Sequence, residues 1–142
     1  AAEFLEAARK VKPVASSAAV ELGQPILTTA YYLVGHFIEL SLKAFLLGRG
    51  TPVGKLRNKP YGHDLSALLR EARRRKLGRL GRLSRRDVAV IHVLNECYSV
   101  KELEYTFNGA RRLPHYSLAV AVAQRLLDSL APYCRRLAAI SV

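Results

Sequence analysis

An all-α fold, an up-and-down bundle of four to five helices, is what this 142-residue sequence predicts. Three observations carry that expectation. Apolar residues recur at helical spacing in almost every segment, and no segment alternates apolar and polar residues between hairpin turns. Half of the residues are hydrophobic, more than a disordered chain carries. The length suits one domain, residues 1–142, able to bury its own core.

The first helix is expected over residues 2–22, with Leu5, Ala8, Val11, Ala15, Ala18 and Leu22 near helical spacing and Pro13 kinking or splitting it. Gly23 is a stop and Pro25 suits the first turn of the next helix. The run from Pro25 to Leu47 is apolar around nearly its whole circumference, which marks a central, buried helix. Tyr32, His36, Glu39 and Lys43 nevertheless fall within an arc of about 60° on it, a single polar track. Glu39 and Lys43, at i and i+4 in the favourable order, are suited to an internal ion pair bonded to neighbouring helices. The run is long enough for a membrane span, but these charges at its centre favour the core of a soluble bundle.

Residues 49–63, with three glycines and two prolines and no period, read as a loop. Asp64 is an N-cap for a third helix in which Leu65, Leu68, Leu69 and Ala72 share a face. That helix ends in Arg73-Arg74-Arg75-Lys76, and a glycine-punctuated basic linker, 77–83, follows. Ser84-Arg85-Arg86-Asp87 is a capping box with aspartate at its fourth position. It opens a fourth helix running to about Tyr105, on which Val88, Ile91, Leu94, Asn95 and Tyr98 mark one broad face. Asn108-Gly109 breaks the chain. A fifth helix then carries Leu118, Val122, Leu126, Leu130, Tyr133 and Leu137, with a bend at Pro132.

Charge is localised. Between Arg49 and Arg86 there are thirteen lysines and arginines against Asp64 and Glu71, a balance of +11 out of the whole chain's +12. Such a segment suits a polyanion, and Arg57, Lys59, Arg73, Arg74, Arg75, Lys76, Arg79 and Arg82 are its candidate nucleic-acid contacts. The alternative is a solvated basic face. Cys97 and Cys134 lack metal-ligand spacing and fit buried, reduced thiols of an intracellular protein, and the N-terminus has no signal pattern. No glycine-rich phosphate loop is present, and no metal or other cofactor is expected.

His36-Phe-Ile-Glu39-Leu40-Ser-Leu42-Lys43-Ala44-Phe-Leu46 resembles the E-x-x-L-K-x-x-L signature of prokaryotic HEPN domains (higher eukaryotes and prokaryotes nucleotide-binding). Gly62-His63-Asp64-Leu65-Ser66-Ala67-Leu68-Leu69 is similar to the H-[DN]-L-x-x-L segment that follows it in several branches. The segment from Lys101-Glu102-Leu103-Glu104-Tyr105 to Pro114 resembles the lead into the last helix. The likeness covers roughly residues 1–135. It implies a cytoplasmic homodimer that binds RNA or nucleotide, works in defence or toxin–antitoxin biology, and pairs with a cognate antitoxin or a nucleotidyltransferase-type partner. It also implies the metal-independent endoribonuclease motif Arg-x(4–6)-His of many members. There histidine moves protons near neutral pH while arginine stabilises charge on the phosphate.

Two stretches have that spacing. One is Arg86-Asp87-Val-Ala-Val-Ile-His92, where an ideal helix sets Arg86 about 120° from His92 and Arg85 only about 20° away. Arg85, Arg86 and His92 are therefore the catalytic candidates. The other is Arg57-Asn58-Lys-Pro-Tyr-Gly-His63, in the loop, where His63 is better explained as flanking the Asp64 cap. The resemblance makes Glu39, Leu42 and Lys43 a structural core motif, orienting the central helix against the one that bears His92. A catalytically inactive interaction module is the alternative function.

Overall fold

In the computed structural model, residues 2–10, 24–101, 103 and 112–141 are described. Six helices run through them: α1 (Ala2–Lys10), α2 (Gln24–Gly48), α3 (Val53–Arg57), α4 (Leu65–Arg74), α5 (Arg85–Tyr98) and α6 (Tyr116–Ile140). No strand occurs among the described residues. The expected kink at Pro13, the stop at Gly23 and the break at Asn108-Gly109 lie outside them.

Helix α2 is the centre of the bundle and packs against α1, α4, α5 and α6. Phe37, Ile38, Leu42, Phe45 and Leu46 have no exposed surface, as an all-round apolar helix requires. The same helix has the length and composition to cross a membrane, but most of that stretch is buried against the rest of the protein. Burial of Leu65, Leu68, Leu69 and Ala72 turns the predicted face of α4 inward against it. Val122, Leu126 and Leu130 of α6 close the core from the other side.

The local signals at helix starts act as the sequence predicts. Asp64 caps α4, its side chain accepting from Ala67 N at 2.9 Å. Ser84 and Asp87 form a reciprocal capping box at α5. Asp87 is also buried and takes a 2.8 Å hydrogen bond from Arg125 Nη1, which fastens the start of α5 to α6.

Three boundaries differ from expectation. The 49–63 loop contains the short helix α3, because burying Leu56 coils five residues too few to show a period. Leu77 of the basic linker is likewise buried, in a 3-10 turn over Leu77–Arg79. Helix α5 ends at Tyr98 rather than near Tyr105, and Lys101 lies in the left-handed region at φ 61°, where a helix cannot continue. Helix α6 runs through Pro132 without interruption.

Candidate functional site

Two polar networks lie side by side along α5, one around Tyr98 and one around His92. The first is built on the buried carboxylate of Glu39, which is 2% exposed. Lys43 Nζ donates to its Oε1 at 2.6 Å. Tyr98 Oη and His63 Nδ1 both donate to its Oε2, at 2.6 and 3.0 Å. His36 Nδ1 lies 3.2 Å from the Tyr98 hydroxyl, and Tyr32 stacks on His36 with ring centres 5.7 Å apart. Burial disfavours the ionised carboxylate, yet the three hydrogen bonds and the nearby ammonium outweigh it and hold the Glu39 pKa below the ordinary value.

Gly35 makes this junction possible. A Cβ there would sit 2.5 Å from Tyr98 Cδ2, so only glycine lets the ring lie flat on α2 and reach Glu39 one turn on. The expected Glu39–Lys43 pair is present, and Glu39 does join α2 to the helix bearing His92. His63 is more than a residue flanking a cap. Its Nδ1–H is committed to Glu39, and the ring itself is half-exposed.

The second network couples α4 to α5. Asn95 Oδ1 accepts from Leu65 N at 2.8 Å, satisfying an amide at the start of α4, and this fixes which way the side-chain amide faces. Its Nδ2 then donates to Asp64 Oδ1 at 3.0 Å and Ser66 Oγ at 3.1 Å. Ser66 Oγ also lies 2.6 Å from His92 Nδ1. The serine oxygen has room for two donors, so it can accept from both Asn95 Nδ2 and a His92 Nδ1–H or donate to a bare Nδ1, and the direction of this bond follows the His92 tautomer.

His92, Ser66, Leu69, Arg70 and Arg73 line an open groove of about 450 Å³ between α4 and α5. On α4 the residues Ser66, Leu69, Arg70 and Arg73 follow i, i+3, i+4, i+7 spacing, which sets them on one face. Both arginines are exposed. No acidic side chain is among the described residues that line the groove, which presents two guanidinium groups, an imidazole and a hydroxyl to whatever enters.

Arg85 and Arg86 are both exposed on the first turn of α5. Arg85 shares the outward stripe of His92, but seven residues of helix separate them by about 10 Å along the axis. The cations lining the His92 groove are Arg70 and Arg73. Of the other predicted nucleic-acid contacts, Arg74 and Arg75 are tied to Glu71, at 2.6 and 2.9 Å, which drops the Glu71 pKa to about 2. Arg75 Nη1 also donates to Arg49 O. Arg57 lines a different groove, between α2 and α3. Lys59, Lys76, Arg79 and Arg82 are exposed. No group of three or more histidine, cysteine, aspartate or glutamate side chains suited to a metal ion occurs among the described residues.

Sequence reasoning missed Ser66, Arg70 and Tyr98 as site residues. The signal for Arg70 was present in its spacing from Ser66 and Arg73 along α4. Comparison with protein-family models, curated proteins and solved structures finds no match.

Proposed function

We propose that this protein is a HEPN-like helical domain that binds RNA, holding the phosphate backbone in the groove between α4 and α5. The observation that carries the reading is the convergence of Arg70, Arg73 and His92 on one open groove with no acidic residue among the described residues that line it. Guanidinium groups pair with phosphate oxygens in bidentate fashion, and the His92 imidazole adds a third polar group beside them. The exposed cations Lys76, Arg79 and Arg82 follow α4 in the chain and extend the attraction beyond the groove.

The test is fluorescence anisotropy with a labelled single-stranded RNA oligonucleotide. Affinity should fall steeply as salt rises, because bound cations displace condensed counterions, and Arg70→Ala with Arg73→Ala should weaken it. A flat salt response would remove RNA from consideration.

A second reading, metal-independent endoribonuclease, is favoured by the Ser66–His92 hydrogen bond. That bond orients an imidazole beside two arginines, the parts needed to transfer a proton and to stabilise charge on a scissile phosphate. Cleavage of mixed RNA that persists in chelator and disappears in His92→Ala, with binding retained, supports it. Cleavage unchanged in His92→Ala removes His92 from the mechanism.

A further inference from the structure

The groove between α2 and α3 has a chemistry unlike that of the His92 groove. It encloses about 460 Å³, and its wall is overwhelmingly apolar. Leu40, Ala44 and Leu47 of α2 stand at i, i+4 and i+7, one stripe about 10 Å long and two turns deep. Val53 and Leu56 of α3 form the opposite wall.

Leu47 and Val53 are 42% and 49% exposed, and they are two of the four large apolar side chains that the described residues leave most open. The other two, Val100 and Ile140, sit at helix ends. The central helix thus leaves Leu47 exposed at the end of a half-buried stripe of Leu40 and Ala44, and α3 adds a wall to it. An open apolar stripe of this kind is costly unless something covers it.

The surroundings are cationic. Arg57 lines the groove, Lys43 lines it while paired to Glu39, and residues 49–63 contain four lysines and arginines and no aspartate or glutamate. A second copy of this chain would set these cations, and a net charge of +12, against their like. Two turns of apolar stripe with a basic edge instead match an amphipathic helix whose polar face is acidic.

We propose that the α2–α3 groove docks an acidic amphipathic helix of a partner protein, with apolar anchors at i, i+3 or i+4 and i+7 against Leu40, Ala44 and Leu47, and carboxylates against Arg57. This site is separate from the His92 groove, and it stands whether or not the protein binds RNA.

The probe is a labelled, helix-stabilised acidic peptide with leucines at i, i+3, i+4 and i+7. A scrambled peptide of the same composition is the control. Anisotropy with the full chain should show the amphipathic peptide binding at least about tenfold tighter, the effect of losing 1.4 kcal/mol of apolar contact. Leu47→Glu should weaken it by a similar factor and leave RNA affinity unchanged. Val53→Ser is the milder second variant, and circular dichroism checks that both fold. Equal binding of the scrambled peptide would reduce the effect to bulk charge and overturn the proposal, as would unchanged binding by both variants. A dimer in sedimentation that Leu47→Glu dissolves, with no peptide binding, would assign the groove to a second copy instead.

Discussion

Replacing Gly35 with alanine sets two effects of known size against each other. Alanine in a helix interior is worth about 1 kcal/mol over glycine, so on an open face the change would stabilise α2. Here the new methyl would meet Tyr98 Cδ2, Cε2 and Cγ at 2.5, 2.8 and 3.1 Å, against an ordinary carbon contact of about 3.5–4.0 Å. The ring must retreat by about 1 Å, yet Tyr98 is 4% exposed and has little room. Overpacking of this kind costs about 1–3 kcal/mol. Moving the hydroxyl off Glu39 loses a hydrogen bond to a charged group, about 1.5–3 kcal/mol.

The clash therefore wins, and Gly35→Ala should destabilise the protein by about 2–4 kcal/mol net of the propensity gain. At about 4 °C per kcal/mol for a chain of this size, Tm falls by about 8–16 °C. The assay is thermal and urea unfolding followed by circular dichroism, in wild type and in a Tyr98→Leu background. With the ring removed the clash is gone, and Gly35→Ala should become neutral or stabilising by up to about 1 kcal/mol. Equal destabilisation in both backgrounds would refute the assignment of Gly35 as the seat for Tyr98.

Three further outcomes are expected. Glu39→Gln should cost about 2–4 kcal/mol at pH 7, because it unpairs Lys43 inside the bundle. The Glu39 pKa is lowered from 4.5 on folding, so its contribution is complete above that value and disappears as pH falls through the folded pKa. Wild type should lose stability over that acid range more steeply than Glu39→Gln, and parallel curves would count against an ionised Glu39. Asn95→Ala should cost about 3 kcal/mol in urea unfolding, since it strands the buried Leu65 N–H and releases Asp64 and Ser66 together. An effect under about 0.5 kcal/mol would mean that water replaces the side chain. In the RNA assay, Arg70→Ala with Arg73→Ala should lower the slope of log affinity against log salt by about 1.4, at 0.7 per phosphate contact on a single strand. An unchanged slope would place the phosphates elsewhere.

The features legible in the sequence were those written in consecutive residues. Asp64 and the Ser84–Asp87 box announced their helices because a cap is read within four residues. The all-round apolar run disclosed α2 as the central helix, and the i, i+4 spacing of Glu39 and Lys43 disclosed their pair. What stayed hidden depends on distance along the chain. Tyr98 meets Glu39 across 59 residues and Ser66 meets His92 across 26, and no local pattern encodes either approach. The arginine run at 73–75 looked uniform, yet Glu71 takes Arg74 and Arg75 and leaves Arg73 to the groove, a division set by helix geometry. Helix α3 escaped notice because one buried leucine defines it.

The connection between α2 and α4 is pinned at both ends. Thr51 N returns to Leu46 O at 3.0 Å, and His63 returns to Glu39. Leu56 and Tyr61 anchor the connection to the core from within, which leaves Lys55 and Lys59 exposed. The connection is thus held at its two ends and by Leu56 and Tyr61 between them, so its path is set independently of the groove at His92.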